Sequence, residues 1–319
     1  MHGMTKFFQL TNADITRIPE EMTLGQFVLA QKLSSDFVAL HLLPMAGAIW
    51  SSKPKQMLDY PARAFIRFFQ NHGLLNYYDR PTWRTVAGGA RHYVQRILAD
   101  SDVTRIGSMC VKRVVRHGDG VAAVLDDGRM LDFDQAVLAT QADEALALID
   151  VPTDEEVRLL SAFSYSDNRV VVHVDTRLMP RARRHWSAWN YVAQRQSDFE
   201  GGVTYWMNAL QPLNMQDDVF VTVNAPTPPR PDSMMFETRF RHPIFSRATA
   251  QAQKQLWSLQ GADKIWFCGS YFGSGFHEDG LQSGLAVAEQ LGGVSRPWSL
   301  PNANDRLQLT SPQTRIAAK

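Results

Sequence analysis

Cysteine is almost absent from this chain: there are two among 319 residues, Cys110 and Cys268, each inside an apolar run that reads as a strand. That count excludes a disulfide framework, and no cysteine and histidine cluster at ligand spacing calls for a metal. A reducing compartment is the expectation. Charge of one sign is missing too. Lys plus Arg number 33 against 32 Asp plus Glu, so no net field draws a nucleic acid to the surface. Long apolar runs are lacking: residues 1–10 have no signal-peptide core, and no stretch reaches the length of a membrane span. The expected location is the cytoplasm, with contact at a membrane periphery as its variant. No strand leads through Gly-x-Gly-x-x-Gly into a helix, which removes the usual opening of a dinucleotide-binding fold and any nicotinamide fingerprint. Internal repeats and low-complexity tracts are absent as well.

What remains is an ordinary globular composition, 45% hydrophobic, long enough for two domains or one composite. From Asp14 to about Leu75 the apolar spacing is helical. Thr23 and Gln26 stand at capping-box positions before a face of Phe27, Leu29, Ala30 and Leu33. A second segment through Leu40 is expected to stop at Pro44. Gly88 and Gly89 open an amphipathic helix, and Val103 to Ile106, Cys110 to Arg116, Val121 to Leu125, Met130 to Phe133 and Ala136 to Thr140 read as strands. Asn168 to Val174, Trp186 to Tyr191, Thr204 to Asn208 and Val219 to Val223 alternate as an antiparallel sheet. Phe245 to Leu259 reads as a helix, and the residues after Gly293 carry no periodic signal and are expected to be mobile.

The stretch from Lys264 to Leu291 is the most informative. Ile265 to Cys268 is a short buried strand. Gly269, Gly273, Gly275 and Gly280 follow, and then an amphipathic helix with Ser283 and Gly284 in its early turns. A strand passing through glycines into a helix lets backbone N–H groups approach an electron-rich ligand closely, and the helix dipole favours negative charge there. Tight turns alone would also need those glycines, so the wording matters more than their number. Phe267-Cys-Gly269, His277-Glu-Asp-Gly-Leu-Gln-Ser-Gly284 and Leu285-Ala-Val-Ala-Glu289 resemble the C-terminal flavin-binding segment of the FAD-dependent amine oxidase, carotenoid desaturase and protoporphyrinogen oxidase superfamily, and within it a bacterial branch of predicted NAD/FAD-binding proteins. Glu278 matches the Glu of that segment, while Asp279 stands where the superfamily has a glycine.

The resemblance implies an α/β composite: an incomplete Rossmann-like FAD-binding domain interleaved with a substrate domain of helices and an antiparallel sheet. Its implied boundaries are 1–82 for the helical part of the substrate domain, 83–150 for the middle of the FAD domain, 151–262 for the sheet of the substrate domain, 263–293 for the end of the FAD domain and 294–319 for the tail. It implies FAD as cofactor, with Gly88, Gly89, Val111, Gly269, Gly275, Glu278, Asp279 and Gly280 against it. In that superfamily the flavin N5 accepts hydride from a substrate held face-on. His277 is the strongest titratable candidate for a catalytic role; for Asp279 a structural N-cap role ranks ahead of a flavin contact, and for Glu278 the two are level. Leu43-Pro-Met-Ala-Gly-Ala-Ile-Trp-Ser51 and Leu58-Asp-Tyr-Pro-Ala-Arg63 resemble the helical substrate segment, which nominates Trp50 as a cavity wall beside Trp189, Tyr191, Tyr205 and Trp206. The substrate implied is hydrophobic, a lipid or acyl chain. Since the first βαβ unit of the family is not found here, a complementing N-terminal polypeptide is an expected partner, and isolated chain is expected to hold FAD weakly. The competing reading is a non-catalytic truncated subunit or binding module of a flavoprotein.

Overall fold

A computed structural model describes residues 2–11, 15–76, 78, 82–193 and 201–309. In chain order the helices and strands are α1 (His2–Thr11), α2 (Leu24–Ala30), α3 (Ser35–Phe37), α4 (Leu43–Trp50), α5 (Ala62–Asn71), α6 (Arg91–Asp100), β1 (Val111–His117), β2 (Gly120–Leu125), β3 (Met130–Phe133), β4 (Ala136–Leu138), α7 (Ala142–Leu148), α8 (Asp154–Leu160), β5 (Ser164–His173), β6 (Trp189–Ala193), β7 (Gly201–Trp206), α9 (Met207–Leu210), β8 (Phe220–Val223), β9 (Met234–Ile244), α10 (Arg247–Gln253), β10 (Ile265–Phe267) and α11 (His277–Gly292). They form an α/β composite of two compact units, residues 1–105 with 165–242 and residues 106–164 with 243–319. No described helix is long and apolar enough to cross a membrane.

The first unit joins helices to a five-stranded sheet of order β6-β7-β8-β5-β9. Its helices begin where the capping chemistry says they should: Thr23 Oγ1 accepts the Gln26 N–H at 3.2 Å while Gln26 Oε1 accepts the Thr23 N–H at 3.0 Å, closing the box ahead of α2. Pro44 does not end its segment. It lies in the first turn of α4, where a missing N–H costs nothing, and a single π-turn over Val38–Leu42 lets the backbone run through, with the Leu43 N–H reaching Val38 O. The helical core is aromatic. Trp50 is wedged against Tyr60, Phe65 and Phe68 at centroid distances of 4.8, 5.6 and 4.8 Å, and Phe65 stacks on Phe69 at 4.4 Å. Burying each such ring contributes on the order of 2–3 kcal/mol.

The second unit holds an antiparallel sheet of order β1-β2-β3 and a parallel pair, β4 with β10, in the register Ala136 to Ile265 and Leu138 to Phe267. The Trp266 indole N–H donates to Gln135 Oε1 at 2.6 Å. Glu156, almost fully buried, both completes the capping box with Thr153 that starts α8 and pairs with Arg116 of β1. Other expectations also differ from what is observed: Phe245 to Leu259 is not one helix, only Arg247–Gln253 being α-helical. Val103 to Ile106 form no strand, and Val103 and Ile106 are 57% and 51% exposed. Strand β9 went unforeseen although Glu237, Arg239 and Arg241 alternate with Phe236, Thr238 and Phe240; it lies at the edge of its sheet, and Phe236 and Phe240 stay 61% and 54% exposed.

Candidate functional site

Strand β10 is buried along its whole length, and the chain leaves it at Gly269, where a Cβ would lie 2.7 Å from the Tyr271 ring. The loop that follows is held from both sides. Gln253 Nε2 donates to Tyr271 O at 2.8 Å and Gly273 O at 2.6 Å. The Ser283 hydroxyl, fully buried, accepts the Gly269 N–H at 3.0 Å and sits 3.0 Å from Gly280 O. Gly275 has φ +91° with Phe245 only 3.0 Å from where a Cβ would stand, so both conformation and space require glycine there.

At the start of α11 the acidic pair divides. Asp279 is fully buried: its Oδ2 accepts the Phe276 N–H at 2.7 Å and its Oδ1 accepts from Arg306 Nε at 2.6 Å. A side chain on Gly273 would run into this carboxylate. Asp279 is therefore a cap and an anchor for the loop. Glu278 is exposed and accepts from Gln282 Nε2 at 3.0 Å, and His277 is exposed beside it. The N–H groups of Asp279 and Gly280 turn back to Phe276 O at 3.1 and 3.2 Å, which leaves those of His277 and Glu278 as the donors that the helix ladder does not use. Above them the surface is open. A Cβ at Gly280 would approach nothing nearer than Ser270 N at 3.8 Å, and one at Gly284 would meet nothing within 4 Å. Packing inside this chain gives no reason for either glycine, and the pair of free donors with a bare backbone beside it fits the electron-rich edge of a flavin.

Residues 294–309, expected as the start of a mobile tail, lie along α11. Arg296 makes a two-pronged pair with Glu289, Nε to Oε1 at 2.6 Å and Nη2 to Oε2 at 2.8 Å, which holds the Glu289 carboxyl down at about 2. The Arg306 N–H reaches Gln282 Oε1, and Leu307 is buried. Residues 310–319 are outside the described residues.

The other nominated residues are dispersed. Val111 opens β1 opposite Leu125 in the second unit and is partly exposed. Gly88 and Gly89, with φ +79° and +88°, make the turn before α6 in the first unit. Trp50 belongs to the helical core and is 5% exposed. Tyr191 and Tyr205 pack on a cluster of Ala48, Val170, Val203 and Val223, with the Tyr205 hydroxyl 3.4 Å from Ala48 O and its phenol pushed up by burial. Trp189 rests edge-on against Tyr205 at 5.4 Å and keeps 42% of its surface exposed. Strand alternation sends Trp206 to the opposite face, where its indole N–H donates to Asp218 at 2.9 Å and Arg183 lies over its ring.

The first unit also carries a cleft of about 550 Å³ that the sequence did not announce, lined by Ser51, Lys53, Ser166, Asp167, Asn168 and Asn224 among others. Most of its lining side chains are polar, and on one wall Asn224 Nδ2 donates to Asn168 Oδ1 at 2.7 Å. Its lining comes from four separated segments, so no local pattern could reveal it. Two of the lining residues, Ser51 and Asn224, have positive φ, +50° and +53°, and of these Asn is the residue type that tolerates the left-handed region.

No family model matches the sequence, and a search of curated proteins finds no match. Solved structures do share the fold. The CLA-producing fatty acid isomerase from P. acnes superposes with a TM-score of 0.62 at 13% identity, covering 91% of this chain and 74% of the isomerase. Putrescine oxidase bound to putrescine gives 0.61 at 13% identity, over 92% of this chain and 75% of the oxidase. Cyclohexylamine oxidase from Brevibacterium oxydans gives 0.55 at 14%, over 86% and 68%. At such identities the likeness is one of fold.

Proposed function

We propose, from a chain that has the amine-oxidase type of fold, that this protein is the flavin-facing and substrate-facing part of an FAD-dependent oxidoreductase acting on a hydrophobic, acyl-like substrate. The observation that carries the reading is the start of α11, where His277 and Glu278 present unused N–H donors beside Gly280, a glycine that the chain's own packing does not require. When bound, FAD supplies the two-electron acceptor. The residues of this chain do the rest. The N–H groups of His277 and Glu278 orient the electron-rich edge of the ring, Asp279 holds the loop rigid from within, and the His277 imidazole, exposed at the same turn, is the group able to take or give a proton. Val111, Gly88 and Gly89 are assigned to the cofactor, and Trp189 with Tyr205 to the substrate side. An acyl chain is favoured over an amine because the sheet aromatics are not paired to flank a cation: Tyr205 is packed on Ala48 and Trp206 points to the other face. A fold shared with a fatty acid isomerase agrees with that choice, although putrescine oxidase shares it too.

Titrating the purified chain with FAD and following flavin fluorescence tests the reading. Weak, saturable quenching is expected, with Gly280→Ala melting normally and Gly280→Leu weakening binding by about tenfold, ~1.4 kcal/mol, at unchanged circular dichroism. No quenching with millimolar FAD, or equal binding by the Leu variant, would overturn it.

A further inference from the structure

Strand edges in this chain are finished in different ways. On β10 the Gln260 side chain takes both polar groups of Phe267, accepting its N–H at 2.9 Å and donating to its carbonyl at 2.7 Å, so no further strand can add there. Strand β9 has no such closure. It is the longer of the two outer strands of the five-stranded sheet, eleven residues against five in β6, and among the described residues no strand but β5 pairs with it. Met235, Phe236, Glu237, Arg239 and Phe240 are all exposed. Alternation puts Phe236 and Phe240 on one face with Thr238 between them, and Glu237 and Arg239 on the other. A long open edge with exposed rings is a template for another strand. Charged side chains usually guard such an edge, because like charges meet when two edges approach. Here the guard is of mixed sign, and its order decides what it repels.

We propose that β9 is the interface for a second copy of this chain: the two edges pair antiparallel about a two-fold axis through Thr238, joining the two five-stranded sheets into one. In an antiparallel pair, residues directly opposite share a face. With the axis at Thr238, Glu237 of each chain stands opposite the partner's Arg239, and Phe236 opposite the partner's Phe240. Ion pairs then lie on one face and ring pairs on the other, all made from side chains that the single chain leaves exposed. Neighbouring registers lose this. An axis at Glu237 or at Arg239 sets like charges directly opposite, one at Phe240 sets Arg239 against Arg241, and one at Phe236 leaves both arginines without a carboxylate. The Glu237 carboxylate is already forked by Arg169 of its own chain, Nε to Oε1 at 2.7 Å and Nη2 to Oε2 at 2.8 Å. That fixes its side chain and leaves a lone pair on each oxygen for a second guanidinium. The edge is self-complementary in charge and in ring placement, which is why a copy of this chain, rather than a strand of unrelated sequence, is its occupant. None of the residues assigned above to flavin or substrate takes part, so the interface stands apart from that reading.

Sedimentation of the full chain over a range of concentrations tests this. Wild type is expected to be a reversible mixture of monomer and dimer with a dissociation constant on the order of 10–100 µM, as suits a small interface. Glu237→Arg and Arg239→Glu, each alone, set like charges opposite each other on both sides of the axis and should weaken the dimer by about tenfold or more. Mixed in equal amounts, the two variant chains present opposite charges to one another at both places, and a heterodimer close to wild type in strength is expected. That recovery separates a lost interface from a folding defect, which mixing does not repair. Amide exchange over residues 235–241 should slow as the wild-type concentration rises. A chain that stays monomeric up to about 1 mM, single variants that dimerise like wild type, a mixture that does not recover, or a dimer lost instead on Val94→Lys with Ile97→Glu in α6 would each overturn the proposal.

Discussion

His173 ends a row of three buried polar side chains that crosses the five-stranded sheet, with its Nε2 2.7 Å from Thr222 Oγ1 and Thr222 Oγ1 2.9 Å from Thr204 Oγ1. The Asp175 N–H donates to Nδ1 at 3.1 Å, so Nδ1 is the acceptor and Nε2 carries the proton that is given to Thr222. Charging the ring would place a second proton against that N–H. Burial lowers the pKa of His173, outweighing the opposing pull of the Asp175 carboxylate, which Arg177 and Arg230 hold well below its ordinary range. An unfolded histidine titrates near ~6.5. Between that value and the lower folded one the unfolded chain binds more protons, so this contribution is complete above the unfolded pKa and is lost as the pH falls toward the folded one. Urea unfolding at several pH values should therefore show stability declining from pH ~7 to ~5, and His173→Gln should flatten that slope. An unchanged slope would mean that other groups, such as the half-buried His242, whose pKa burial also lowers, carry it.

Helix α11 is the element on which most of the second unit's chemistry is hung, and its two ends are tied by residues the sequence placed in a formless tail. Replacing Asp279 with Ala removes the acceptor for the Phe276 N–H and strands the Arg306 guanidinium, which is 19% exposed. A loss of about 2–3 kcal/mol is expected, with faster protease cleavage within 294–309. Asp279→Asn keeps a neutral acceptor for the cap and should cost less. If both variants unfolded at the wild-type denaturant concentration, the anchor described for Asp279 would be wrong. The glycines and the capping positions of this helix could be read directly, because turn geometry and first-turn donors are decided within a few residues. Arg306 on Asp279, and Gln260 closing β10, could not, since each joins residues whose distance apart is set by the whole unit.

At the scale of the molecule, the segment from Trp83 to Val103 is the anomaly. Helix α6 buries no residue, and Tyr93, Val94 and Ile97 form an apolar stripe at helical spacing, each 41–59% exposed. Apolar surface of this kind marks either an interface or an aggregation hazard. Val94→Lys with Ile97→Glu should leave unfolding within about 0.5 kcal/mol of wild type, because no residue of α6 is buried, and should lower light scattering by concentrated protein. A large loss of stability would show instead that the stripe is packed in solution.

The alternation of β7, the capping box of α2, the strand, loop and helix around Gly269 and the α/β class were written into the sequence, since each depends on local sterics and on apolar periods of two or 3.6 residues. Periodicity marks a residue as inward-facing without saying what it faces. Trp50, chosen as a cavity wall, is inward-facing and packs on Tyr60, Phe65 and Phe68, and the cleft around Asn168 and Asn224 went unseen. Only the tertiary structure decided which strand edges are closed, which glycines are left bare and where the tail lies, because those outcomes depend on hydrogen-bond partners that the chain brings together from far apart.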